Sequence, residues 1–223
     1  GAVTSQGHRD PPEILIRHGR LVNADGSGDL DVRVVGEVVA EIGSNLRPAR
    51  GARVIDAAGK LVTPGGIDPH THLHDPFADD LTTGSQAALA GGITTVGTFA
   101  FARPDESILD ALERESGRAA SQAIADVFLH AAAWPPSPRV IGALSALGDR
   151  GQPSLKLFMP TEDFHARVGA VIELLEAARA AGVVTLVHCE DAALLTAAVR
   201  RLSAANRVSL DHYSESRPVV AEV

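Results

Sequence analysis

The chain has 223 residues, 20 Lys+Arg against 28 Asp+Glu, and a formal net charge of −8. With 45% hydrophobic and 22% charged residues it resembles an ordinary globular protein, not a disordered tail, a collagen-like repeat or a disulfide-stapled miniprotein. The acidic balance argues against nucleic acid as a partner, no apolar run reaches the ~18 residues of a membrane span, and the single cysteine, Cys189, fits a reducing cytoplasm.

The start, through Pro12, is polar and lacks the apolar core of a signal peptide. Short strands are expected from Glu13 to about Thr63: at 14–16, at 31–35 with Val32 and Val34 alternating against polar neighbours, and at 38–42, 53–55 and 61–62. Turn residues separate them at 23–28, at Gly36 and at 43–45. Residues 1–63 therefore read as a small β-rich portion.

After Pro64-Gly65-Gly66 the pattern changes to strand–helix alternation. Apolar strands are expected to begin near Ile67, Ile93, Ala125, Ser154 and Val183, at steps of 26, 32, 29 and 29 residues. Ala-rich helices fill the intervals at 82–90, 106–120, 140–147 and 164–181, and another at 191–202 follows the fifth strand. In the fourth helix Val168, Val171, Ile172, Leu175 and Ala178 recur at helical spacing and mark one apolar face. Regular βα units of this length mean a parallel sheet, either doubly wound or an eight-fold barrel. About five units are present where a closed barrel needs eight. Either the sheet is open or residues 64–223 are the first part of something longer.

The strongest chemical signal is Asp68-Pro69-His70-Thr71-His72, at the end of the first barrel-type strand. Two histidines two apart on extended chain face the same way, and imidazole is the commonest side-chain ligand for zinc-like ions. Lys156 is the second signal, because it interrupts an otherwise apolar fourth strand. Burial would lower its pKa, and a neutral amine can take up carbon dioxide to form a carbamate. His188 is the third, at the end of the fifth strand. In a (β/α) barrel those strand ends share one mouth, where active sites lie.

The strings PGGIDPHTHL (64–73), SLKLFM (154–159) and LVHCED (186–191) resemble the cyclic amidohydrolases of the amidohydrolase superfamily, in the dihydropyrimidinase and hydantoinase branch. ADDLTTG (78–84), AALAGGITT (87–95) and Ser216-Arg217-Pro218 with Glu222 are similar to further segments of that branch. The resemblance implies an α/β fold: a (β/α)8 TIM-type barrel, of which about five βα units are present, plus a small N-terminal β-sandwich portion. It implies a hydrolase that opens a cyclic amide or imide with a metal-bridging hydroxide. His70 and His72 would bind one of two divalent ions, His188 the other, and Lys156 would bridge both as a carbamate; zinc is the expected metal. A small-molecule cyclic amide is the expected partner, in a homo-oligomer that family analogy makes a tetramer.

Departures from that branch bear on the chemistry. Its other second-metal histidine follows the sixth strand and its general-base aspartate the eighth, both beyond Val223, so no catalytic residue is identified by motif. Thr161 stands where dihydropyrimidinases carry a substrate-contacting tyrosine. His74 stands where dihydroorotases carry an arginine for the substrate carboxylate. Both are candidate substrate residues. The loop over 76–79 is shorter than usual. An allantoinase- or dihydroorotase-like enzyme, or a non-enzymatic scaffold of the kind some dihydropyrimidinase relatives have become, are the alternatives. Among the other side chains, Asp68 reads as a strand-end residue and His130 as facing the same mouth. Cys189 reads as core and Trp134 as a lid or a loop anchor. Asp105, Glu106 and Glu113 to Glu115 read as solvated helix surface. His8, His18, His165 and His212 carry no assigned role.

Overall fold

The computed structural model describes residues 12–74, 79–103, 105–151 and 154–222. His8 and residues 76–78 of the short loop lie outside the described residues. The chain divides into two units, Gly1–Gly65 and Gly66–Val223.

The first unit holds β1 (Glu13–Arg17), β2 (Arg20–Asn23), β3 (Gly26–Asp29), β4 (Asp31–Val35), β5 (Val38–Gly43), β6 (Arg53–Asp56) and β7 (Leu61–Val62). They form two sheets, ordered β5-β4-β1-β6 and β3-β2-β7. The expected strands are present, with two additions: Arg20–Asn23, which is not among those the sequence pattern marks, and its partner Gly26–Asp29. Residues 23–28 read as a turn, but Gly26–Asp29 is a strand that pairs antiparallel with Arg20–Asn23, and only Ala24 and Asp25 make the turn. Gly-Ser-Gly carries no side-chain pattern, so its order comes from the backbone bonds of its partner strand.

The second unit alternates β8 (Gly66–Asp68), α1 (Leu81–Ala90), β9 (Ile93–Phe101), α2 (Ile108–Gln122), β10 (Asp126–Ala132), α3 (Pro138–Asp149), β11 (Ser154–Phe158), α4 (Val168–Ala180), β12 (Val184–His188) and α5 (Ala192–Ala204). The five strands are parallel and lie in strict chain order, β8 to β12. A doubly wound sheet reverses its order at a switch point; this one advances one strand at a time, as a barrel does. The unit is therefore a partial (β/α)8 barrel of about five units.

Capping sets the helix starts. Asp80 and Ser107 close capping boxes with Thr83 and Asp110, and Ser137 caps α3 ahead of Pro138. The cap at Ser107 explains why α2 begins at Ile108 and not at Glu106. Glu106 and Arg114, read as solvated, instead pair at 2.8 Å in a partly buried setting, which holds the Glu106 carboxyl down at about 2.

Residues alternate across the parallel strands. One face of β10 and β11, with Ala131, Leu155 and Leu157, packs under Ile108, Leu144, Leu147, Leu174 and Ala178 from α2 to α4. Each fully buried leucine there contributes about 1.5–3 kcal/mol. The buried stripe of α4 is Val171, Leu174 and Ala178, while Ile172 is 51% exposed. The apolar face expected for this helix is thus rotated, because α4 leans on α3 and the sheet from one side only. The opposite face of the strands carries His130, Ala132, Ser154 and Lys156.

Candidate functional site

The loop after β8 is built by hydrogen bonds to its own strand end and to β9. Asp68 Oδ1 accepts the His70 N–H at 3.0 Å and turns the chain out of the strand. The Thr71 N–H and hydroxyl both donate to Gly97 O, at 2.7 and 2.8 Å. Gly97 must be small: a Cβ there would stand 2.6 Å from Pro69 O and 2.7 Å from Phe128 Cζ.

On this loop the His70 and His72 rings stand 5.4 Å apart, centroid to centroid, and rest on Phe99 at 5.0 and 4.9 Å. His74 continues the row, 5.9 Å from His72 and 5.2 Å from Phe101. Lys156 is 2% exposed. Its Nζ lies 5.5 Å from the Phe99 ring and 5.2 Å from that of Phe158. Among the described residues no carboxylate pairs with it. Burial pushes its amine below the ordinary lysine value.

The register places Lys156 opposite Leu186 and Phe158 opposite His188. Lys156 and His188 thus share a face, one two-residue step apart on neighbouring strands. His188 Nε2 lies 2.6 Å from Glu190 Oε2, and the buried Glu190 carboxylate also meets Arg217 at 3.5 Å. A carboxylate only accepts, so Nε2 of the neutral ring carries the hydrogen and Nδ1 keeps its lone pair. Thr161 sits in the tight turn beyond β11, where its peptide N–H donates to Met159 O at 2.7 Å. It joins no ring contact or ion pair with the histidines among the described residues.

Electrostatics tie the other candidates together. Burial lowers the pKa of His70, and Lys156, His130 and His188 lower it further whenever they are protonated. His72 is lowered by burial, then by His70, His74, Lys156 and His188. In the unfolded chain both rings titrate near the ordinary 6.5. Between that value and the lower folded values the unfolded state binds more protons, so acidification favours unfolding. The metal-free chain is therefore expected to lose resistance to denaturant as pH falls below 6.5. In urea melts the double variant His70→Asn/His72→Asn should show a shallower loss, and equal slopes would refute this.

The donors suit zinc-like ions in three respects. From a metal–nitrogen bond of about 2.1 Å, two imidazoles on one tetrahedral ion stand roughly 5 Å apart by ring centroids, close to the 5.4 Å between His70 and His72. Both rings favour the neutral form. The Lys156 amine is buried with no carboxylate partner among the described residues, and burial favours its neutral form, which can react with carbon dioxide. Among the described residues no three His, Cys, Asp or Glu side chains close on one point.

Several roles are visible only in the structure. Glu190 as the partner of His188, Arg217 behind it, and the Phe99, Phe101 and Phe158 wall were not singled out by the sequence. The signals were available: Glu190 follows His188 by two, and Phe99 and Phe101 alternate on β9. Cys189, expected in the core, is exposed, because β12 ends at His188 and the chain turns outward. Trp134 is an anchor, stacked on Phe164 at 6.1 Å beside the main core. His130, expected at the mouth, is buried.

Residues 61–217 match the family model described as "Amidohydrolase family". Dihydropyrimidinase of Rattus norvegicus is 34% identical over 220 residues, which cover 94% of this chain and 42% of the relative. Dihydropyrimidinase-related protein 5 of Homo sapiens is 34% identical over 189 residues, 82% of this chain and 34% of the relative. The solved D-hydantoinase (dihydropyrimidinase) from Thermus sp. aligns with a TM-score of 0.79 at 31% identity, covering 94% of this chain and 47% of that chain. The chain spans less than half the length of each of them.

Proposed function

The chain belongs to the amidohydrolase family, in its dihydropyrimidinase and hydantoinase branch, and from that membership we propose that the complete protein hydrolyses the C–N bond of a cyclic amide or imide. The observation that carries the reading is Lys156, buried between Phe99 and Phe158 with no carboxylate partner among the described residues. An unpaired buried lysine is costly, and uptake of carbon dioxide relieves it. The Nζ–C bond forms, one proton leaves to solvent, and the neutral amine becomes an anion with two oxygen donors.

In this reading His70 and His72 hold one divalent ion, His188 the second, and the Lys156 carbamate both; zinc is the proposed metal. Such ions acidify water and polarise a carbonyl. The chain's own residues prepare the site. Asp68 orients the His70 peptide, and Glu190 turns His188. Phe99, Phe101 and Phe158 form an apolar wall that limits water. His74 and Thr161 are proposed to face the substrate ring. No residue of this chain is assigned as the general base.

A closed barrel is part of the proposal. Both edge strands, β8 and β12, are unpaired on one side among the described residues, with Ile67 65% and Val184 64% exposed there. Further βα units would cover them. A cytoplasmic homo-oligomer, with neither nucleic acid nor membrane as partner, completes the reading. Among the described residues no helix is long and apolar enough to cross a membrane.

The test is metal content per chain together with a panel of hydantoin, dihydrouracil, allantoin and dihydroorotate. Two ions and turnover of hydantoin or dihydrouracil are expected. Turnover confined to allantoin or dihydroorotate would move the substrate assignment. Absence of both metal and turnover would overturn the enzyme in favour of a scaffold. Glu190→Ala is expected to weaken one of the two ions by roughly 10–100-fold, as loss of a ligand's hydrogen-bond partner commonly does. Chelator competition measures this, and two undiminished affinities would remove Glu190 from the site.

A further inference from the structure

Beneath the His70–His72 loop lies a histidine for which the proposed chemistry has no use. His130 is 3% exposed and sits on β10 opposite Phe99. Its Nε2 lies 2.8 Å from Pro69 O, and its Nδ1 lies 2.7 Å from Ser154 Oγ. A peptide oxygen only accepts, so Nε2 must donate. A neutral imidazole has one N–H, so Nδ1 is the acceptor and the Ser154 hydroxyl donates to it. The partners thus select one tautomer.

The two partners flank candidate ligands. Pro69 O belongs to the peptide that leads into His70. Ser154 precedes Lys156 by two residues on the same face of β11. Other bonds hold the loop to its own strand and to β9, through Asp68 and Gly97. The His130 ring reaches further, from the loop to the lysine strand. Gly97 leaves the path open, since a Cβ there would crowd Pro69 O.

We propose that His130 is a positioning residue, whose Nε2–H bond to Pro69 O sets the peptide from which His70 projects and ties that loop to the Lys156 strand. The proposal rests on the metal reading of the same site. A glutamine amide reaches the place of Nε2 and keeps the donor. An asparagine amide reaches only the place of Nδ1 and loses it.

In the full-length protein, His130→Gln is expected to bind cobalt(II) within about threefold of the unmodified protein, and His130→Asn roughly 10–100-fold more weakly. Cobalt absorption under chelator competition reads this without reference to activity, and thermal melts check that both variants are folded. Equal affinities in the two variants would overturn the proposal. Should neither variant fold, nitrogen NMR of labelled histidine in the unmodified protein decides the point. A bare Nδ1 with a protonated Nε2 supports it, and the opposite tautomer overturns it. An unmodified protein that binds no cobalt overturns the metal reading, and with it the role given to His130, even with the expected tautomer.

Discussion

Replacing Lys156 with alanine is expected to remove the paired metals and to lower turnover by at least about 10²–10³-fold, the scale of losing one preorganised electrostatic contact at a reacting carbonyl. The reason is local. In the proposed reading Lys156 supplies two donor oxygens as a carbamate, and it can do so only through its amine. Short carboxylic acids in the buffer should restore part of the activity, because alanine leaves room beside Phe99 and Phe158 for a small carboxylate. Lys156→Met separates chemistry from packing. It fills the space without the amine, so it should lose the metals and resist rescue. The metal-free methionine variant should also be more stable at pH 7 than the unmodified metal-free chain, because the lysine pKa is lowered on folding and charging it is then a cost. Metal analysis and thermal melts check both variants. Two tightly retained ions in Lys156→Ala would end the carbamate reading.

Gly97→Ala is expected to damage the fold and the site together. The added Cβ meets a backbone oxygen at 2.6 Å and an aromatic carbon at 2.7 Å, and neither is the loose end of a flexible chain. Overpacking of this kind costs about 1–3 kcal/mol, a fall in melting temperature of roughly 2–12 °C for a domain of this size. The oxygen is that of Pro69, so the strain falls on the peptide leading into His70, and metal affinity should fall with stability. Gly117→Ala is the control. Gly117 lies within α2, and nothing stands within 4 Å of its added Cβ. There alanine should stabilise by about 0.5–1 kcal/mol through helix propensity and leave metal binding unchanged. Equal metal affinity in Gly97→Ala and the unmodified protein would show that the loop does not depend on this close approach.

The sequence by itself determined the order and spacing of the elements. Apolar runs at 93, 125, 154 and 183, each followed by an Ala-rich helix, are local signals, because a strand or helix must show its period along its own chain. The same locality placed His188 at the end of its strand, since the residue that ends an apolar run ends the strand, whereas Lys156 falls in the middle of β11 and His70 and His72 fall on the loop beyond β8, which stops at Asp68. It left open whether the sheet was doubly wound or a barrel. Strand order is a long-range property, and the strictly sequential pairing of β8 to β12 decided it.

The tertiary structure also decided what no local pattern encodes. The partner of a ring nitrogen depends on which strand lies alongside, so the Pro69–His130–Ser154 link spans 61 and 24 residues and leaves no periodic trace. The Glu190–Arg217 contact joins residues 27 apart for the same reason. The buried stripe of α4 turned because its neighbours, not its own hydrophobic pattern, chose the face. Gly26–Asp29 became a strand because Arg20–Asn23 offered it hydrogen bonds that its own side chains could not announce. Local periodicity fixes which segments form and where reactive residues fall along them. The pairing of segments fixes the bonds those residues make, and hence which nitrogen, oxygen or amine each one presents.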